Sequence, residues 1–340
     1  MRRKFPSSPM FTIFALPKPF KGHVGVIQRN ALGSWVRLAD DVILFGDEEG
    51  IADATREFGT RHVPEVARNR FGTPLLNDAF RTAERLCATP WLVYVNGDII
   101  LREDFGRAVS VLPRRPCLLA GRRWDLDVAE PIDFNQPDWS EALERRARED
   151  GVKGGSAWID YFAFRPGTLG EIPPFAVGRP LWDKWLLLHA RATGLWLVDA
   201  SPSVVVIHQN HDYGHVRNAV GRRWEGPEGD ENLRLAGGFS KRLFSLEDAT
   251  HHMLEGRVVR KRRDIAALTR QWKKLPQRHP ELKHEPDLIR RFTRPRCKTS
   301  SLKPLAGLWY ALLNDARVPL IPLWRRLHAM RSQSASAIDS

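Results

Sequence analysis

Short apolar runs alternate with segments of helical spacing along most of the chain, and that alternation predicts its architecture. Trp91-Leu92-Val93-Tyr94-Val95 is apolar or aromatic throughout, which predicts a strand buried on both faces. Phe11–Leu16 predicts a first buried strand, halted by Pro17-Lys18-Pro19. Ile27, Ala31, Trp35 and Leu38 fall on one helical face, so residues 27–38 predict a helix. A strand at Val42–Phe45, a helix at Ile51–Phe58 stopped by Gly59, and a short strand at His62–Val66 come next. Thr73-Pro74 opens a helix over Leu75–Cys87, with proline in its first turn. Further strands are expected at Cys117–Ala120, Asp160–Phe164, Trp196–Asp199 and Ser203–His208, with an amphipathic helix at Leu181–Ala192. Residues 131–156 are polar, with a charged helix around Ser140–Glu149, and read as an insertion over the site. This order predicts an α/β chain with a doubly wound, mostly parallel sheet.

The same alternation bears on Asn96-Gly97-Asp98. Asn-Gly between apolar runs is a signal for a tight hairpin. In a parallel sheet the three residues instead form the loop beyond a strand's carboxyl end, where ligands of open α/β sheets sit. There Asp98 could hold a divalent cation against a diphosphate, because hard cations take oxygen ligands and bridge phosphate oxygens.

Composition narrows the class. At 340 residues the chain is long enough for one large core and an appendage. Three cysteines (Cys87, Cys117 and Cys297) make neither a disulfide framework nor a cysteine zinc site, so a reducing, cytoplasmic setting is expected. The basic start Met1-Arg2-Arg3-Lys4 leads into prolines and serines and has no apolar signal region, and no apolar run is long enough to span a bilayer. Charge is uneven. Residues 241–340 hold 22 Lys+Arg against 9 Asp+Glu, which accounts for the whole net charge of +13 and leaves the first 240 residues balanced. The expected division is a short disordered start (1–9), a catalytic domain (10–250) and a basic, mainly helical extension with a disordered end (251–340). Within that extension, residues 302–327 carry Leu305, Leu308, Trp309, Leu312 and Leu313 at helical spacing, and Pro319 and Pro322 break the apolar stretch from Val318 to Trp324. Such a segment can lie in a membrane's headgroup plane, or pack on the body or on a second subunit. Twelve tryptophans suit both core filling and stacking on sugar rings.

Four features stand in chain order: Asp47 after the second strand, Asn96-x-Asp98 after the fourth, Gly178 with Trp182-Asp183 at a loop-to-helix start, and His208 at the end of Val204–His208. Together they resemble the GT-A glycosyltransferases, the nucleotide-diphospho-sugar transferase fold, over roughly residues 10–250. The resemblance implies transfer of a sugar from a nucleoside-diphosphate-sugar to an acceptor hydroxyl, with inversion, on a Rossmann-like GT-A domain. It implies Asp98 and His208 as metal ligands, with Mn²⁺ or Mg²⁺ as the ion, and Asp183 as catalytic base. Asn96 stands where the family has the first Asp of Asp-x-Asp, and Trp182 where it often has Glu. By the same analogy Pro17 and Asp47 flank base and ribose, Arg68 and Asn69 reach the nucleotide or its phosphates, and Gly178 belongs to the donor loop.

Asp160 is a second acid near the acceptor side, and Arg122, Arg123, Trp124, Trp182 and His211 are expected to line that side. His208, His211 and His215 lie at spacings that could suggest zinc, but with no nearby cysteine and no helical His-x3-His pattern they do not read as a zinc site. The acceptor expected is a glycan or a lipid-linked molecule. Two alternatives share parts of this picture. A sugar nucleotidyltransferase of the same fold needs a glycine-rich phosphate loop, and Phe14–Pro19 has no glycine. A protein binding nucleic acid or another anionic surface through the basic tail would use Arg257, Arg260 and their neighbours, but no nucleic-acid motif accompanies them.

Overall fold

The computed structural model describes residues 10–211, 226–237 and 245–261. The first half of the sheet is built from β1 (Phe11–Ala15), α1 (Gly22–Trp35), β2 (Asp41–Phe45), α2 (Ile51–Phe58), β3 (Arg61–Val63), α3 (Leu76–Leu86) and β4 (Trp91–Val95). Next in the chain are β5 (Ile99–Ile100), α4 (Glu103–Ser110), β6 (Cys117–Ala120), β7 (Arg123–Leu126), α5 (Trp139–Glu149), β8 (Val152–Lys153) and β9 (Tyr161–Phe164). The remainder is α6 (Trp182–Ala192), β10 (Trp196–Asp199), β11 (Val206–Gln209), α7 (Pro227–Leu235), β12 (His251–Leu254) and β13 (Arg257–Arg260).

Nine strands form one sheet in the order β13-β12-β10-β6-β9-β4-β1-β2-β3. Most neighbours are parallel, but β9 runs antiparallel to both β4 and β6, and β13 antiparallel to β12. The chain winds from β1 to β2 and β3 on one side, then returns to place β4 on the other side of β1. That reversal makes the carboxyl ends of β1 and β4 a topological switch point, the usual place for a ligand crevice. A smaller sheet, β5-β11-β7-β8, stands apart. The hairpin alternative for Asn96-Gly97 therefore fails, because β4 and β5 on either side belong to different sheets.

The continuous apolar runs reflect burial on both faces. In β1, Phe11, Ile13 and Ala15 point into one core with α1 and α4, while Phe14, followed by Leu16 just past the strand, points into another with α3 and α6. The second core contains an aromatic chain in which Tyr94 stacks on Phe80 with centroids 5.4 Å apart and meets Trp182 edge-on at 5.0 Å. Each such pair adds about 0.5–1.5 kcal/mol beyond the area it buries.

Three expectations change. The helix read over residues 27–38 begins earlier, at Gly22, and ends at Trp35. The polar segment expected to cover the site instead packs α5 against the small sheet, through Leu143 and Ala147 among Leu126, Val128 and Ile207. Residues 251–260, expected to start a helical extension, add β12 and β13 to the edge of the large sheet. The reading of residues 302–327 and of the rest of the basic tail lies outside the described residues.

Candidate active site

The turn after β4 is held from three sides. The Asn96 N–H donates to Asp160 O (2.9 Å), and the Ile99 N–H donates to Asn96 O (3.2 Å). Trp35 Nε1 donates to Ile99 O (2.8 Å), so α1 fixes the segment just past the turn. The Asp98 carbonyl accepts from the Gln209 N–H (3.1 Å) and from Gln209 Nε2 (3.2 Å). Gly97 is required by close approach, since a Cβ there would lie 2.9 Å from Gln28 Oε1. Gln28 in turn brackets the Lys18 backbone, its Oε1 accepting from the Lys18 N–H (2.7 Å) and its Nε2 donating to Lys18 O (2.8 Å). The loops after β1 and β4 are thus locked together at the switch point.

Asp98 presents its side chain to two histidines. Asp98 Oδ2 lies 3.0 Å from His211 Nε2 and 3.6 Å from His208 Nε2. One ligand atom from each of the three residues falls within 4.8 Å of the others, and Asp98 Oδ1 is buried with no hydrogen-bond partner among the described residues. One carboxylate, two imidazoles and an orphaned buried oxygen fit a divalent cation that accepts mixed oxygen and nitrogen ligands. Burial alone would raise the Asp98 carboxyl, but His208, His211 and Lys18 override it and hold the group well below the usual carboxylate range.

Behind His208 stands a residue that the sequence reading passed over. β7 and β11 are parallel neighbours with Asp125 opposite His208, and Asp125 Oδ1 lies 3.1 Å from His208 Nδ1 as an ion-pair contact. A carboxylate on Nδ1 turns Nε2 toward the cluster, the arrangement by which outer groups orient metal-binding histidines. Burial would lower the His208 imidazole, but the Asp125 and Asp98 carboxylates win and push it up to about 9. Asp125 also accepts from Arg123 Nε (2.8 Å), and Arg123 Nη1 donates to Asp160 Oδ2 (2.8 Å). Asp160 Oδ1 accepts from Asn96 Nδ2 (2.8 Å), and Asn96 Oδ1 accepts from Tyr94 Oη (3.0 Å). A charged and hydrogen-bonded chain therefore runs from the aromatic core to the Asp98 cluster.

These groups line one cleft of about 380 Å³, walled by Pro17, Lys18, Asn96, Asp98, Arg123 and Asp160, by Gly178 from the loop before α6, and by Trp182 and Asp183 from the first turn of α6. That loop carries two left-handed residues, Gly178 (φ 69°) and Leu181 (φ 82°). The first suits glycine, whereas the second strains a leucine whose side chain is buried. Asp183 sits in the first turn of α6. Burial raises its carboxyl to about 6, against the opposing effects of Lys184 and of the backbone N–H groups it accepts from. Lys18, unassigned by the sequence reading, also lines the cleft. Burial lowers its ammonium pKa, and Asp98 partly offsets the effect.

Several expected residues lie elsewhere. Asp47 and Arg68 form an ion pair with each other, Arg68 also binds Glu48 (2.9 Å), and of the three only Glu48 lines the cleft. Asn69 is committed to its own turn, its Oδ1 accepting from the Phe71 and Thr73 N–H groups, and its Nδ2 donates to Glu228 Oε1 (2.7 Å). Arg122 donates its backbone N–H to Ser201 Oγ (2.8 Å), and Trp124 packs in the core of the small sheet under Lys153. Neither lines the cleft. His211, expected on the acceptor side, stands beside Asp98 instead.

No protein-family model and no curated protein matches the sequence. Among solved structures, the chain is similar to a mannosyltransferase from Pyrobaculum calidifontis in complex with GDP-Man and Mn²⁺, at 13% identity and a TM-score of 0.41, covering 96% of this chain and 81% of that one. It is also similar to glucosyl-3-phosphoglycerate synthase from Mycobacterium tuberculosis in complex with Mn²⁺, UDP and phosphoglyceric acid, at 12% identity and a TM-score of 0.37, covering 61% of this chain and 73% of that one.

Proposed function

We propose that this protein is a metal-dependent glycosyltransferase that moves a sugar from a nucleoside-diphosphate-sugar to an acceptor hydroxyl with inversion. The observation that carries the reading is Asp98, fixed at the switch point of a doubly wound sheet with His208 and His211 around its carboxylate. Asp98, His208 and His211 would hold Mn²⁺ or Mg²⁺, which would supply Lewis-acid neutralisation of the leaving diphosphate. Lys18 adds a cation in the same cleft, placed by Gln28 for phosphate oxygens. Asp183 serves as the base. The acceptor oxygen attacks the anomeric carbon, the bond to the diphosphate oxygen breaks, and the hydroxyl proton passes to the Asp183 carboxylate. A carboxyl raised to about 6 is ionised at neutral pH and remains basic enough to take that proton. Asp160, held by Arg123 and Asn96, offers its remaining lone pairs to acceptor hydroxyls.

The test needs no acceptor. A panel of uridine, guanosine, adenosine and thymidine diphosphate sugars is incubated with the protein, with Mn²⁺ or with a chelator. Slow hydrolysis of at least one sugar, lost with the chelator, is the expected result. Failure to hydrolyse any of them, together with no metal-dependent binding of a nucleoside diphosphate, would refute the reading.

A further inference from the structure

We propose that α7 is a positioning element for the base, with Asn232 and Glu228 holding the loop that delivers Asp183. The proposal rests on the reading of Asp183 as base, and its geometry is independent of that reading. Asn232 is a poor helix former, yet it sits fully buried inside α7. Its side chain is spent entirely on the loop before α6. Oδ1 accepts from the Ala176 N–H (2.9 Å), while Nδ2 donates to Ala176 O (3.1 Å) and to Pro180 O (3.3 Å).

The Pro180 carbonyl directly precedes Leu181, the strained left-handed residue, and Asp183 lies two positions later. A leucine stays in that conformation only where its surroundings over-determine it. Here those surroundings are the buried Leu181 and Trp182 side chains and the Asn232 amide. Glu228, one turn earlier on α7, closes the other side. Its Oε2 accepts from Arg179 Nε (3.0 Å) and its Oε1 from Asn69 Nδ2 (2.7 Å), tying the base loop to the turn at Asn69–Thr73. The loop's own backbone adds the Val177 N–H to Pro74 O (3.0 Å) and the Leu76 N–H to Phe175 O (2.9 Å). Those two bonds stop short of Gly178; beyond it α7 restrains the loop through the Arg179 side chain and the Pro180 carbonyl.

Asn232→Ala removes all three amide bonds. Asn232→Asp keeps the acceptor for the Ala176 N–H but turns a buried carboxylate toward the Ala176 and Pro180 carbonyls; for either variant, unchanged hydrogen exchange over 91–98 shows that the fold persists. Both are compared with wild type and with Asp183→Asn in hydrolysis of whichever nucleotide sugar is cleaved fastest. A misplacement of about 1 Å costs roughly 10²-fold in rate, so kcat should fall by about that factor while KM for the donor changes less than about twofold. Asp183 is faced by Lys184, Asp160 and the Tyr94 hydroxyl. As the loop loosens and the carboxyl gains water, the acidic limb of the kcat profile should move down from about 6. Hydrogen exchange should quicken in peptides spanning 175–185 and stay unchanged over 91–98.

If Asp183→Asn turns over normally, the assignment of the base fails. If Asp183→Asn is slow but both Asn232 variants keep the wild-type kcat and acidic limb, the positioning proposal is overturned. Faster exchange over 175–185 with no change in kcat or in the pH profile overturns it equally, since that is what a merely structural contact would give.

Discussion

Replacing Asp183 with asparagine should make the protein slower and, at alkaline pH, more stable. The carboxyl is raised from 3.8 to about 6 by burial. A raised carboxyl binds its proton more tightly in the folded chain than in the unfolded one, so its ionised form opposes folding. The difference corresponds to about 3 kcal/mol at pH 8, where the group is ionised in both states. The penalty shrinks as pH falls from 6 toward 3.8, and at pH 4 about 0.5 kcal/mol remains. An asparagine can still accept from the backbone N–H groups that meet Asp183, and it carries no charge to bury. Asp183→Asn should therefore gain about 3 kcal/mol over wild type at pH 8 and about 0.5 at pH 4, read by urea unfolding at both values. In the same protein, transfer or hydrolysis should fall roughly 10²–10⁴-fold, the usual worth of a general base. A stability difference that does not change with pH would refute the burial argument. Near-normal turnover would refute the role of base and point to Asp160 or to a retaining mechanism.

The other predictions concern the opposite side of the cleft and the tail. Asp98→Ala and His208→Ala should each abolish turnover and metal-dependent binding of a nucleoside diphosphate while the fold persists; unchanged Mn²⁺ titrations would contradict the cluster's assignment. Asp125→Asn should weaken Mn²⁺ binding by roughly 10–100-fold through loss of orientation at His208, and calorimetry with Mn²⁺ alone measures this directly; an unchanged affinity would remove Asp125 from the site. Lys18→Ala should raise KM for the donor with a smaller effect on Mn²⁺ affinity, and the reverse pattern would place Lys18 at the metal instead of the diphosphate. Sedimentation with anionic vesicles tests the tail: salt-sensitive binding by the full chain, lost in a chain ending at Lys261, is expected if residues 302–327 lie at a membrane surface, and equal binding by the two would exclude it.

The central strands of the large sheet were legible because they are buried on both faces and so read as unbroken apolar runs, as at 91–95; the strands β12 and β13 at one edge, His-His-Met-Leu and Arg-Val-Val-Arg with exposed positions, were not. The small sheet was not legible, because β5 and β8 have two residues each and β7 reads Arg-Trp-Asp-Leu, with partners far away in the chain. Asp125 was missed for the same reason: only the parallel pairing of β7 with β11 puts it beside His208. Asp98, His208 and Asp183 were visible as polar groups at the ends of apolar strands or at a helix start, and Gly178 as a glycine in the loop before that helix. Arg68 and Asp47 misled, since nothing in the local sequence shows that they satisfy each other. Nor does the sequence around α7, with its glycine and asparagine, advertise a helix or the loop that Asn232 grips.

The antiparallel strand β9 has a consequence for how the chain is made. β1 to β4 span residues 11–95 and pair only among themselves and with β9, so one half of the sheet can assemble from consecutive segments as they leave the ribosome. The other half joins it only through β9, because β4 and β6 never touch as neighbours and both bond to Tyr161–Phe164. Closing that seam brings together strands separated by forty residues or more, the kind of distant pairing that slows folding. Asp160 immediately precedes the seam, and Asp183 and the two cluster histidines come after it. The first half can carry Lys18 and Asp98, but the cleft they line is completed only once β9 has joined the two halves.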